Sequence, residues 1–71
     1  MLVVKVNING YDRYSSDAVN FVNKSELKGE GFISHRQAQI ATRKLEKKLS
    51  DALIDERTRI TTFSEPEIIV I

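Results

Sequence analysis

Ile33-Ser34-His35-Arg36-Gln37-Ala38-Gln39-Ile40-Ala41-Thr42-Arg43-Lys44-Leu45-Glu46-Lys47-Lys48-Leu49-Ser50-Asp51-Ala52-Leu53 repeats its apolar residues every three or four positions, the period of an α-helix. At 3.6 residues per turn Ala38, Ala41, Leu45, Leu49 and Ala52 fall on one stripe, with Leu53 at its edge. Ser34 followed three residues later by Gln37 has the form of a capping box, and Ile33 and Ala38 stand where a hydrophobic staple packs. Upstream, Gly29-Glu30-Gly31 is a flexible break. The pattern predicts one helix over about residues 35 to 55.

On the N-terminal side, Leu2, Val4, Val6 and Ile8 alternate with Val3, Lys5 and Asn7, which reads as a strand over residues 2 to 8. Asn9-Gly10 follows, the dipeptide that best tolerates the positive φ angles of a two-residue hairpin, so Tyr11 to Tyr14 begins the returning strand. Beyond the helix, the threonine-rich stretch Arg57 to Phe63 reads as a polar-faced strand, Ser64-Glu65-Pro66 as a turn, and Glu67 to Ile71 as a last strand. Residues 15 to 28 read in two ways. Ser16 caps a helix over 17 to 28 that Gly29 closes, or Val19, Phe21 and Val22 among asparagines form a strand; the strand is preferred because Asn and Val are mediocre helix formers.

These elements predict an α+β fold, a small two-layer single domain over residues 1 to 71 with a mostly antiparallel sheet of three to five strands packed on one long amphipathic helix. No internal repeat or linker divides the chain. Its 71 residues hold one core, and 41% hydrophobic with 30% charged residues is the composition of a folded chain. With no cysteine there is no disulfide framework. The few apolar residues before Lys5 are too short for a signal-peptide core or a membrane span, so a cytoplasmic location is expected, without membrane attachment. A net charge of +1 sets up no global field, and any electrostatic recognition is local.

The outer face of the helix carries that local charge. Arg36, Arg43, Lys44 and Lys47 cluster opposite the apolar stripe, with Gln39 flanking them and Lys48 beyond. Helix dipoles favour acids at the N-terminal end and bases at the C-terminal end. This helix begins His35-Arg36 and ends toward Asp51, Asp55 and Glu56, the reverse of what stability favours. Lysines and arginines so placed can contact phosphates, with Arg43, Gln39 or Arg36 reaching base edges, while Tyr11, Arg13 and Tyr14 supply stacking and another cation.

The terminal strands point to a second surface. Val3 opposes Leu2 and Val4, and Ile69 and Ile71 oppose Ile68 and Val70, so both strands are apolar on both faces although one helix covers only one. An oligomer interface through Val3, Ile69 and Ile71 is the expectation, since small domains often complete their cores by self-association.

Other candidates resolve to bland readings. His35 has no cysteine beside it and no orienting acid for Ser34, so no catalytic residue is assigned and the chain reads as non-enzymatic. Asp51, Asp55 and Glu56 read as a solvated helix end, and Asn7 to Asp12 lacks the acidic first position and terminal glutamate of a calcium loop. Gly29-Glu30-Gly31 fits neither a Walker loop nor a dinucleotide fingerprint. No cofactor and no metal is implied.

Phe32, Ser34 and Ala38, then Leu45 and Leu49, loosely resemble the strand-to-helix junction of the arm-binding domains of phage-type integrases, over about residues 31 to 49. The resemblance implies a small three-stranded sheet backed by a helix that reads DNA; separately and more loosely, a very short cysteine-free chain of this style looks like an accessory protein of a phage or mobile element. The segment 15 to 28 and the C-terminal strands depart from that pattern. The expectation is therefore a binding module that meets DNA or RNA through its basic helix face. The alternative is a homo-oligomeric assembly module that engages another protein through its apolar sheet surface or an edge strand.

Overall fold

The computed structural model describes residues 1 to 71 and contains strand β1 (Leu2–Ile8), strand β2 (Tyr11–Ser15), helix α1 (His35–Ile54) and strand β3 (Glu67–Val70), with single 3-10 turns at Lys24–Glu26 and Glu56–Thr58. The three strands form one antiparallel sheet in the order β2-β1-β3. It is an α+β domain with one long helix against the sheet, as the apolar periods predict.

The hairpin forms where Asn9 (φ 54) and Gly10 (φ 89) place two consecutive residues at positive φ, the backbone that joins twisted strands with the fewest residues. Its register pairs Ile8 with Tyr11, Val6 with Arg13 and Val4 with Ser15. Across β1, Leu2 pairs with Val70, Val3 with Ile69, Val4 with Ile68 and Lys5 with Glu67. The Ser34 hydroxyl accepts the Gln37 N–H at 3.3 Å and opens α1. That is half of the predicted capping box. The staple does not form, because Ile33 is 86% exposed while Ala38 is fully buried.

Helix α1 lies over β1 and β3. Its start is tied to one end of β1 by the Phe32 N–H donating to Leu2 O, and the chain after it is tied to the other end through Asn9. The predicted stripe is the observed one: Ala38, Ala41, Leu45 and Leu49 are buried, Ala52 is half-buried, and Leu53 sits at the exposed edge. Val4, Ala41 and Leu45 pack together with Ala18, Phe21 and Phe32 around them. Burial of Val4 and of Leu45 there contributes about 1.5–3 kcal/mol each. Val4 touching α1 fixes the helix face of the sheet as that of Leu2, Val4, Val6, Ile8, Ile68 and Val70.

Two stretches depart from the sequence reading. Residues 15 to 28 form neither a regular strand nor a helix. Val22 makes a single antiparallel bridge to Tyr14, and the rest is a loop built by side chains. Asp17 Oδ1 accepts the Val19 and Asn20 N–H groups, each at 2.9 Å, and the Ser15 hydroxyl accepts the Ala18 N–H. Those side chains offer the backbone an alternative to the ladder, and Ala18 sits at φ 63, outside any strand. The Ser16 hydroxyl caps no helix but donates to Lys28 O, drawing the ends of the loop together.

Arg57 to Phe63 is likewise not a strand. The 3-10 turn and a left-handed Arg59 (φ 59) break it, and only Phe63 bridges Ile8. Its threonines serve as local hydrogen-bonding groups instead. Thr58 Oγ1 donates to Ala52 O, completing the helix end, and Asn9 Oδ1 accepts from Thr61 N, Thr61 Oγ1 and Thr62 N.

Candidate nucleic-acid interface

Arg36, Gln39, Arg43, Lys44 and Lys47 are all exposed along α1. Arg36, Arg43 and Lys47 lie at spacings of seven and four residues, which set them within about one ninth of the helix circumference, opposite the buried stripe. The helix rises about 1.5 Å per residue, so Arg36 and Lys47 stand roughly 16 Å apart along its axis. Ile40, 47% exposed, lies between them and gives the face an apolar centre.

None of these cations is neutralised by an acid. The ion pairs of the molecule are Lys5 with Asp12 and Arg57 with Asp55, both away from this face. Asp51 follows Lys47 by four positions and forms no ion pair with it. Helix α1 holds five cations and two acids, Glu46 and Asp51, a net of +3. The other 51 residues hold six cations and eight acids, a net of −2. The small overall charge thus conceals a segregation of sign, and the potential over the helix exceeds what +1 indicates.

The reversed charge at the helix C-terminus has a local cause. Asp55 opens the following turn by accepting the Arg57 N–H at 3.0 Å and the Arg57 guanidinium through both oxygens. The Arg57 side chain, then its N–H, lowers the Asp55 pKa, and Asp55 raises that of Arg57. The acid at this end therefore shapes the chain reversal and needs no functional explanation. No such bond accounts for Arg36 at the other end.

Tyr11 and Arg13 stand apart from the helix, on β2 at the sheet margin. They share a face, and the Arg13 guanidinium lies 5.6 Å from the Tyr11 ring centroid while also donating to Asn23 Oδ1. Arg13 is held by the fold, whereas Tyr11 remains 66% exposed. Tyr14 projects from the opposite face, by the alternation of the strand, and cannot join them. Lys48 is also engaged. Its ammonium donates to Val19 O and lies 5.9 Å from the Phe21 centroid, pinning the loop to the helix. The sequence signalled the lysine but not this partner, which only the folded loop supplies.

Of the three residues expected at an oligomer interface, Val3 is fully buried within a single chain, Ile69 is half-buried, and Ile71 is 40% exposed. Val3 needs no second chain to cover it, which removes it from any open surface.

A cleft under the residue 16 to 31 loop is lined by Asp17, Asn20, Phe21, Glu26 and Glu30. No group of three or more His, Cys, Asp or Glu side chains is arranged to hold a metal ion. No helix is long and apolar enough to cross a membrane. Comparison of the chain with protein-family models, curated proteins and solved structures gives no match.

Proposed function

We propose that this chain is a non-enzymatic binding module that sets the outer face of α1 in the major groove of duplex DNA. The observation that carries the reading is a row of exposed cations, Arg36, Arg43, Lys44 and Lys47, that spend no charge on neighbouring acids. A B-form major groove about 12 Å wide admits a helix. The deep, narrow major groove of A-form RNA does not, which favours DNA over duplex RNA. Lys44 and Lys47 are assigned to phosphates, and Arg36, Gln39 and Arg43 to base edges. Tyr11 has a supporting place at the margin, and Arg13 a structural one.

Fluorescence anisotropy of labelled duplex DNA at about 50 and 200 mM salt tests the reading. The two phosphate contacts predict a loss of affinity on the order of 10-fold between those salts. The double variant Arg43→Glu/Lys47→Glu should abolish binding and leave the circular dichroism spectrum and unfolding midpoint unchanged, since both side chains are exposed and unpaired. Absence of binding at the lower salt, or equal binding by the variant, refutes the proposal.

A further inference from the structure

The hydrogen-bond phase of the sheet identifies which groups of β3 are free. Met1 and Ile71 exchange both backbone bonds, at 2.7 and 2.9 Å. Hydrogen-bonded pairs alternate along an antiparallel ladder, so Val3–Ile69 and Lys5–Glu67 are bonded pairs as well. The N–H and C=O of Ile68 and Val70 therefore point away from β1. β3 is the last strand in the sheet order, and these groups have no partner in the chain. Val70 is 72% exposed. Between Glu67 and Val70 there is no lysine, proline or bulge, the devices that usually protect an edge.

We propose that β3 pairs antiparallel with β3 of a second copy of this chain, about a two-fold axis at Ile69. In that register Ile68 faces Val70 of the partner copy and Val70 faces Ile68, so the two free N–H and two free C=O groups of each chain are all satisfied. Glu67 is set opposite Ile71 of the other copy and away from its own twin. Neighbouring registers are worse. Centring on Ile68 sets Val70 against Pro66, which has no N–H to give the Val70 carbonyl. Centring on Glu67 brings two carboxylates face to face.

Directly opposed residues of an antiparallel pair share a face. The side chains of Ile68 and Val70 therefore meet those of Val70 and Ile68 on the helix side, and the two Ile69 side chains meet beneath. The product is a six-stranded sheet, β2-β1-β3-β3-β1-β2, with both helices on one face. The pairing uses backbone and apolar groups only. It stands whether or not α1 binds DNA.

Sedimentation equilibrium across a concentration series reads the assembly, and a cysteine scan reads the register. The expected result is a rise from the 8.1 kDa chain mass toward twice that value, with a midpoint at about tens to hundreds of micromolar, as small interfaces give. Val70→Pro deletes an outward N–H that the fold does not use, and should leave the protein folded and monomeric. The chain has no cysteine, so Ile69→Cys should form an intermolecular disulfide under mild oxidation, because non-bonded opposed residues bring Cβ atoms to about disulfide distance. Ile71→Cys, offset from its twin, should not. A single-chain mass up to about 1 mM, a Val70→Pro variant that still dimerises, or cross-linking of Ile71→Cys as fast as Ile69→Cys would falsify the proposal.

Discussion

The two edges of the sheet are finished differently. The outer edge of β2 is covered at its end by its own chain: Tyr14 and Val22 exchange backbone bonds at 2.9 Å in both directions, leaving Asp12 as the one outward residue without a backbone partner. Past the end of β2, Gly31 takes the place beside Leu2 that another strand residue would occupy. The outer edge of β3 carries two unpartnered residues and is more apolar. A loop of about fifteen residues is spent on guarding one edge and none on the other. An edge left open is a template for another chain, so the contrast separates a margin the fold consumes from one it leaves for a partner.

Removing the guard at Gly31 should have the largest effect. A Cβ there would stand 2.3 Å from Leu2 O and 2.6 Å from Met1 Cγ, on a backbone at φ +76. Gly31→Val combines strained backbone with overpacking and should cost about 4 kcal/mol, much of the roughly 4–11 kcal/mol that a chain of this length commands. Gly29→Val is the control. It has a similar positive φ, but nothing lies within 4 Å of its Cβ. Chemical denaturation should show a far larger loss for the first variant, and equal losses would mean that Gly31 contributes only backbone strain.

A smaller effect is expected at the other guard. Val22→Pro deletes the N–H that donates to Tyr14 O and should destabilise the protein by about 1–2 kcal/mol, the range for one broken backbone bond at a half-exposed site. Amide exchange sharpens the comparison. The Tyr14 amide should be protected in the parent and lose protection in the variant, while the Ile68 and Val70 amides should gain protection only as protein concentration rises. Protection of Ile68 at high dilution would mean that the open edge is covered within one chain.

The legible parts of this fold are those whose signals are local. Asn9-Gly10 fixes the hairpin through φ alone, and the apolar stripe from Ala38 to Leu49 fixes the helix through period alone. The basic face was legible for the same reason, because helical spacing determines which side chains lie together. Residues 15 to 28 were not. Val19, Phe21 and Val22 have strand propensity, but Asp17 and Ser15 hold the backbone in turns, and Phe21 is needed beside Val4 and Leu45 in the core. Composition cannot rank those demands. The threonines of 57 to 63 misled in the same way, since a threonine suits a strand as well as it satisfies a helix end or an asparagine side chain. The burial of Val3 was illegible because strand alternation says which face a side chain takes and is silent on what covers that face.

Asp17 gives the smallest effect and the finest probe of the guarded edge. Its carboxyl is held below the usual carboxylate range, first by the Asn20 N–H and then by that of Val19, against a weaker opposing effect of burial. A depressed folded pKa means that the unfolded chain binds the proton more readily. The stabilisation is therefore complete above the unfolded value of about 3.9 and is lost as pH falls through the lower folded value. Asp17→Asn removes this titration and should flatten the acid limb of stability against pH by lowering stability at pH 7 by the small amount that protonation of Asp17 removes in the parent. If Asp17 supports the guard, the Val22 and Tyr14 amides should lose protection in the same acid range, and the Ile68 and Val70 amides, at the far edge, should not respond. A uniform loss across both edges would instead mean that acid acts on the whole fold, and that the loop is no more sensitive than the sheet it covers.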